Sequence, residues 1–406
     1  LGIEVQVLKV GTYKSAVEPY INTQMSEANR EQTMAYMTPI WNHLLEQLSQ
    51  DRDISVDQLN NLADTLLVTV DAKELIAKGL VDTLMYRPQM NEFLKAKVGI
   101  DKDDDLIFAS INEVASIKQA PNKAKDEIAI VYAEGGIDMG ETNGVNTAKL
   151  VEDLTKIQND KNVKAVVLRV NSPGGSAFAS EQIWHAVKEL KAEKPVIVSM
   201  GDYAASGGYY ISCIADTIVA EPTTLTGSIG IFGMVPNVKE LTDKVGLTYD
   251  VVKTNKFADF GNIMRPFNND EKALMQMMIT QGYDTFVTRC AEGRHMTKEA
   301  IEKIAEGRVW TGETAKELGL VDELGGIDKA LDIAVKKADL EGYTVVAYPA
   351  KKDLFSSLLD TQPTSYVESQ LLKSKLGDYY KDFSLLKNLS ERSMIQARVP
   401  FELNIK

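Results

Sequence analysis

Short apolar runs alternate with helical patterns through the middle of the chain. Ile128-Ala129-Ile130-Val131-Tyr132 reads as a buried strand, as do Ala165–Val170 and Pro195–Met200, because a strand covered on both faces has no reason to alternate with polar residues. Asn171-Ser172-Pro173-Gly174-Gly175 ends the second run, and Ser176 opens an amphipathic helical stretch carrying Ile183, Val187 and Leu190. The third run leads into Gly201-Asp202-Tyr203-Ala204-Ala205-Ser206-Gly207-Gly208, and a fourth, Thr217–Ala220, into Thr226-Gly227-Ser228-Ile229-Gly230. The pattern predicts stacked β-β-α or β-α units, an α/β fold.

The chain also repeats itself. Gly2–Lys9 matches Gly246–Lys253 in pattern, Pro19-Tyr20 matches Pro266-Phe267, and Leu59, Leu62 and Ala63 fall where Ile301, Ile304 and Ala305 fall. Gly79-Leu80-Val81-Asp82-Thr83-Leu84 then recurs as Gly319-Leu320-Val321-Asp322-Glu323-Leu324. The order predicted for both copies is a strand, a loop, a long helix, a second helix and a Gly-Leu-Val-Asp turn. Strand and helix signals precede the second copy, whereas nothing precedes the first. Residues 1–100 are therefore expected to be the back half of one domain and 126–345 a whole second domain. A charged linker, 101–125, separates them, and 346–406 reads as a mostly helical tail with an apolar end, Val399–Leu403. A chain that opens inside an apolar alternation, at Leu1, is expected to be a fragment or a processed product.

Composition narrows the function. The 406 residues carry a net charge of −13 with no basic stripe, so a phosphate backbone would be repelled and nucleic acid is not expected as a partner. Two cysteines, Cys213 and Cys290, have no metal-ligand spacing and are too few for a disulfide framework. No metal or other cofactor is implied. No apolar run reaches the length of a bilayer span.

Chemistry in such a fold concentrates at strand-to-helix junctions, and two of them carry paired glycines. At Pro173-Gly174-Gly175 the turn offers backbone N–H groups to an anion or oxyanion. At Ala204-Ala205-Ser206-Gly207-Gly208 a serine stands among residues small enough to admit a substrate backbone, and the Gly207 N–H is in reach of the same cradle. Either pair read alone is satisfied by close helix–strand packing. A nucleophilic serine needs a base. His43, His185 and His295 each read as helix-surface or packing residues, and Ser384-Leu385-Leu386-Lys387 is a short, common spacing. A desolvated lysine is the alternative, but composition does not single it out.

Four motifs resolve this. Asn171–Ser176, Ala204–Tyr209, Leu225–Gly230 and Tyr13-Lys14-Ser15-Ala16-Val17-Glu18-Pro19 together resemble the signal peptide peptidase A family, in its long tandem-domain form. The resemblance runs from residue 1 to about 345. It implies tandem crotonase-like (ClpP-type) domains, the first truncated at its N-terminal side, and a serine endopeptidase that degrades cleaved signal peptides and other secreted or membrane-associated peptides. Carried over, Ser206 is the nucleophile, Lys14 the general base, Ser228 the serine that orients the amine, and Gly175 and Gly207 the oxyanion donors. Lys14 faces Ala258 in the second copy, so one site per chain is expected. The resemblance further implies a homotetramer at the bacterial inner membrane, facing the periplasm, with its anchor in the parent chain. A crotonase-like acyl-CoA enzyme and an inactive scaffold are the alternatives.

Overall fold

The computed structural model describes residues 2–65, 67–101, 103–116, 124–140, 144–349 and 395–398. In chain order the described strands are β1 (Glu4–Lys9), β2 (Glu127–Glu134), β3 (Ile137–Asp138), β4 (Val145–Asn146), β5 (Val163–Ser172), β6 (Gly174–Ser176), β7 (Val196–Ala205), β8 (Thr217–Ala220), β9 (Leu225–Gly227), β10 (Phe232–Asn237), β11 (Val309–Thr311), β12 (Glu323–Leu324), β13 (Thr344–Tyr348) and β14 (Ile395–Arg398). The helices are α1 (Glu18–Ile21), α2 (Glu27–Arg52), α3 (Val56–Ala63), α4 (Ala72–Ala77), α5 (Arg87–Val98), α6 (Ile111–Ser116), α7 (Thr147–Asn159), α8 (Ala177–Glu193), α9 (Gly207–Ser212), α10 (Lys239–Lys244), α11 (Asn269–Arg294), α12 (Lys298–Glu302), α13 (Gly312–Glu317) and α14 (Ile327–Lys337). By contact they form two units, Leu1–Met37 with Ala124–Lys406, and Thr38–Lys123. Residues 1–37 group with 124–406 in contact because β1 takes its ladder partner from β10.

In the larger unit one sheet runs β11-β9-β7-β5-β2-β13, with β8 beside β7 and β12 beside β8. Its strands are parallel apart from the β11–β9 pair. Side chains of β2 show why the apolar runs are unbroken. Ala129, Val131 and Ala133 pack with Leu154, Ile183 and Val187 of α7 and α8, while Ile128 and Ile130 meet Ala330 and Ala334 of α14 on the other face. Each fully buried isoleucine or valine contributes about 1.5–3 kcal/mol, so both faces reward apolar residues. The second sheet runs β1-β10-β14-β6-β3-β4. There β10 is paired antiparallel on both sides, by β1 and by β14, and β14 in turn pairs antiparallel with β6 at Gly174–Ser176.

The smaller unit is helical. Among the described residues, Leu45, Ile54 and Leu59 are its buried apolar side chains, packed with Val56 and Leu80. Ser55 starts α3 with a reciprocal capping box to Gln58, which satisfies two amides that the helix start leaves unpaired.

The repeat is visible in local geometry. Helices α2 and α11 are both 26 residues long, and each is followed by a non-glycine residue at φ 54°, Asp53 and His295. Ser55 and Thr297 then cap α3 and α12. The two Gly-Leu-Val-Asp turns begin at left-handed glycines, Gly79 and Gly319, and each receives the arginine that ends its long helix: Arg52 on Asp82, Arg294 on Asp322.

One expected element is missing from the second copy. Residues 247–253 share the pattern of β1 but form no strand, and Leu247, Tyr249 and Val252 are exposed. A strand needs an edge to pair with, and β10 is already paired on both sides. In the tail, 395–398 is strand rather than helix, while Ser384–Lys387 and Val399–Leu403 lie outside the described residues. No described helix is long and apolar enough to cross a membrane.

Candidate active site

Ser206 occupies the single residue between β7 and α9, at φ 55° and ψ −114°. A non-glycine residue held there costs about 1–3 kcal/mol, and such strain collects at functional sites. Two backbone bonds hold it: Ser206 N–H donates to Gly227 O at 2.8 Å, and Tyr210 N–H to Ser206 O at 2.8 Å. The flanking glycines are obligatory through close approach. A Cβ on Gly208 would lie 2.6 Å from Ser172 O, and one on Gly207 would lie 2.7 Å from Ser180 Oγ.

Lys14 follows β1 and is fully buried, as are Ser206 and Ser228. Its stem passes two glycines. A Cβ on Gly307 would stand 2.8 Å from Lys14 Cβ and Cδ, and one on Gly230 3.3 Å from Cδ. At the end of the stem Nζ lies 2.7 Å from Ser206 Oγ, 3.0 Å from Ser228 Oγ and 3.1 Å from Ser228 O. Burial pushes the Lys14 pKa well below that of an ordinary lysine, because a desolvated ammonium loses its hydration. The hydrogen bonds suit a neutral amine, which has two N–H donors and one lone pair. The two N–H groups serve the Ser228 hydroxyl and carbonyl oxygens, leaving the lone pair for the Ser206 O–H. The Ser228 O–H then donates to Gly307 O at 3.2 Å. Every donor has one acceptor.

Ser228 is itself at φ 51°, and its N–H donates to Arg308 O at 2.7 Å. Gly175 and Gly207 are brought together, since a Cβ on Gly207 would be 3.1 Å from Gly175 N. Thus all five residues singled out by the motifs converge on one junction. The histidines do not join them: His185 and His295 are exposed, His43 belongs to α2, and none bonds Ser206 or Lys14 among the described residues.

Other participants gave no sequence signal. Gly307 is an isolated glycine whose role, shared with Gly230 at the end of the Leu225–Gly230 motif, is to clear the lysine stem. Gln32 is one polar residue among many on α2, yet it is 1% exposed and bonded on both sides of Lys14.

A parallel α/β core with a strained serine at its strand–helix junction, against a desolvated lysine, defines a ClpP-like protein with a serine–lysine pair. Sequence comparison agrees. The model of "Peptidase family S49" matches residues 1–101 and 188–341, more than half of the chain, and that of "Clp protease" matches 119–222. The chain belongs to peptidase family S49, so the family and fold expected from the four motifs are those found. Among its relatives, "Protease 4" of Salmonella typhi is 39% identical over 377 residues, 90% of this chain and 60% of that protein. "Serine protease SPPA, chloroplastic" of Arabidopsis thaliana is 32% identical over 350 residues, 84% of this chain and 51% of that protein. "Putative signal peptide peptidase SppA" of Enterococcus faecium is 35% identical over 266 residues, 64% of this chain and 76% of that protein. The chain thus spans 51–60% of the length of the two longer relatives.

Proposed function

We propose that this chain is a serine peptidase working through a Ser206–Lys14 pair and an acyl-enzyme. The observation that carries the reading is the 2.7 Å separation of Lys14 Nζ and Ser206 Oγ in a pocket where the lysine has lost its water. Ser206 Oγ attacks the scissile carbonyl carbon while its proton passes to Lys14 Nζ. The carbonyl oxygen gains the negative charge and is met by the N–H groups of Gly175 and Gly207. Collapse breaks the C–N bond, and Nζ returns its proton to the leaving amine. Water then repeats the sequence on the ester, with Lys14 again taking the proton, and releases the acid. Ser228 holds the amine's direction without supplying charge.

The substrates in this reading are peptides, cleaved signal peptides among them. The name "Putative signal peptide peptidase SppA" of one relative supports that choice. Residues 1–100 and 126–345 are read as portions of two homologous domains joined by 101–125, with the base from the first and the nucleophile from the second. The intact protein is read as a homo-oligomer, a tetramer by resemblance, anchored at the bacterial inner membrane with its sites towards the periplasm.

A fluorophosphonate probe tests the reading. Wild-type protein should be labelled at Ser206, and Ser206→Ala and Lys14→Ala should each abolish labelling while remaining folded. A double variant should be no worse than either single one. Wild-type labelling of Lys14→Ala would remove lysine as the base.

A further inference from the structure

Lys14 sits on an irregular loop between β1 and α1, which by itself does not fix an amine to a fraction of an ångström. Gln32, in the second turn of α2, reaches that loop from below and is 1% exposed. Its Nε2 donates to Tyr13 O at 2.8 Å and to Ser15 Oγ at 2.8 Å, the residues on either side of Lys14. Its Oε1 accepts from Val309 N at 3.4 Å. Val309 continues the segment whose Gly307 and Arg308 carbonyls hold Ser228 through its hydroxyl and its N–H. One carboxamide therefore ties the loop carrying the amine to the segment carrying the amine's orienting serine.

We propose that Gln32 is a positioning residue, which holds Lys14 and Ser228 in register so that the lysine amine stays aimed at Ser206 in a dry slot. The proposal rests on the serine–lysine reading above. Fixed groups keep their geometry only when the residues behind them are themselves hydrogen-bonded. Replacing the amide with an apolar side chain would leave the Tyr13 carbonyl, the Ser15 hydroxyl and the Val309 N–H without this partner in a buried place, and the loop would open to water to satisfy them. The charged groups on the surrounding elements are occupied elsewhere. Glu18 binds Ser26 and Asn29, and Glu31 binds Tyr13 and Arg308. Glu306 accepts from Thr12 N, Lys9 reaches Lys14 O, and Arg308 lies over the Tyr13 and Trp310 rings. None of them is a partner of Lys14 Nζ among the described residues, so water reaching the loop is the main change expected at the amine.

The experiment measures fluorophosphonate labelling against pH for wild type, Gln32→Leu and Gln32→Glu. It is paired with a 13C-lysine NMR titration of Lys14 in a Ser206→Ala background, its resonance assigned by its loss in Lys14→Arg. Gln32→Leu should lower the labelling rate at pH 7 roughly tenfold and move the midpoint of the rate limb upward by about one pH unit, as hydration restores the ammonium. Gln32→Glu regains an acceptor for Val309 N–H but adds a charge, so its midpoint should lie higher still. The NMR titration should shift in the same order. A slower rate with an unmoved midpoint and an unmoved titration would reduce Gln32 to a structural role and overturn the proposal. Should Gln32→Leu fail to fold, Gln32→Glu carries the test alone. Full labelling of Lys14→Ala would refute the serine–lysine reading instead, while the NMR titration would still report whether Gln32 positions the amine.

Discussion

A methyl group at Gly307 tests how tightly the lysine stem is held. The added Cβ would stand 2.8 Å from Lys14 Cβ, Cδ and N, where ordinary contact begins near 3.4 Å. Two of those atoms belong to the stem and one to the backbone, so the loop must retreat by about 0.6 Å. Added to the 2.7 Å between Nζ and Ser206 Oγ, that displacement passes the usual limit of about 3.2 Å for a hydrogen bond. A misplacement of about 1 Å costs on the order of 100-fold in rate, so Gly307→Ala should slow labelling about 10- to 100-fold. Gly307 is also at φ 81°, where alanine adds roughly 1–2 kcal/mol of backbone strain. Gly246→Ala separates the two effects, because Gly246 has φ 76° but nothing within 4 Å of the place its new methyl would take. Stopped-time labelling with a fluorophosphonate, read beside thermal melts, should find both variants destabilised and only Gly307→Ala slowed. Equal labelling rates for Gly307→Ala and wild type, or equal slowing by Gly246→Ala, would refute the stem-packing argument.

Ser228→Ala should slow acylation substantially while leaving Ser206 as the residue found modified by mass spectrometry; loss of all labelling would make Ser228 more than an orienting group. Burial lowers the Lys14 pKa in the folded state, so the unfolded chain binds the proton more tightly. Between the folded value and about 10.4 stability should rise with pH, and below that window the full penalty persists. Lys14→Met should therefore abolish labelling yet melt higher than wild type at pH 6, with the gap closing as pH rises towards 10; a lower melting temperature at both values would contradict this. Arg265 spans Asp259 and the fully buried Glu271, and its hydrogen bonds keep the Glu271 carboxyl below the ordinary range. Arg265→Ala should cost about 3–5 kcal/mol by denaturant titration, and a change under about 1 kcal/mol would show that the pair is dispensable.

The sequence was most legible where a local rule acts alone. Strands β2, β5, β7 and β8 were readable from their apolar runs because both faces are covered, so no polar residue interrupts them. The repeat was readable because Asp82 and Asp322 do the same work for Arg52 and Arg294. Residues 247–253 misled for the complementary reason: pattern specifies a face, but a strand also needs an edge, and the edge is supplied from far away. The serine was suggested by its glycines, whereas Lys14 was invisible without the family motif. Its property is desolvation by Gly230, Gly307 and the Ser228 turn, more than 200 residues further along. Gln32 was missed because a buried amide and a solvated one are the same letter.

The position of β10 has a consequence for how the protein is made. Its two ladder partners are residues 4–9 and 395–398, so one emerges from the ribosome before it and the other about 160 residues after it. At about 5–20 residues per second, Phe232–Asn237 waits roughly 10–30 s, and Gly174–Ser176 roughly 10–45 s, for the strand that joins them. Lys14 and Ser206 are outside when that wait begins, and the 307–309 segment follows them while β14 is still about 90 residues away. The nascent chain therefore passes through a stage in which Ser206 lies beside an unfilled gap one strand wide, open to chaperones or to any extended peptide in reach.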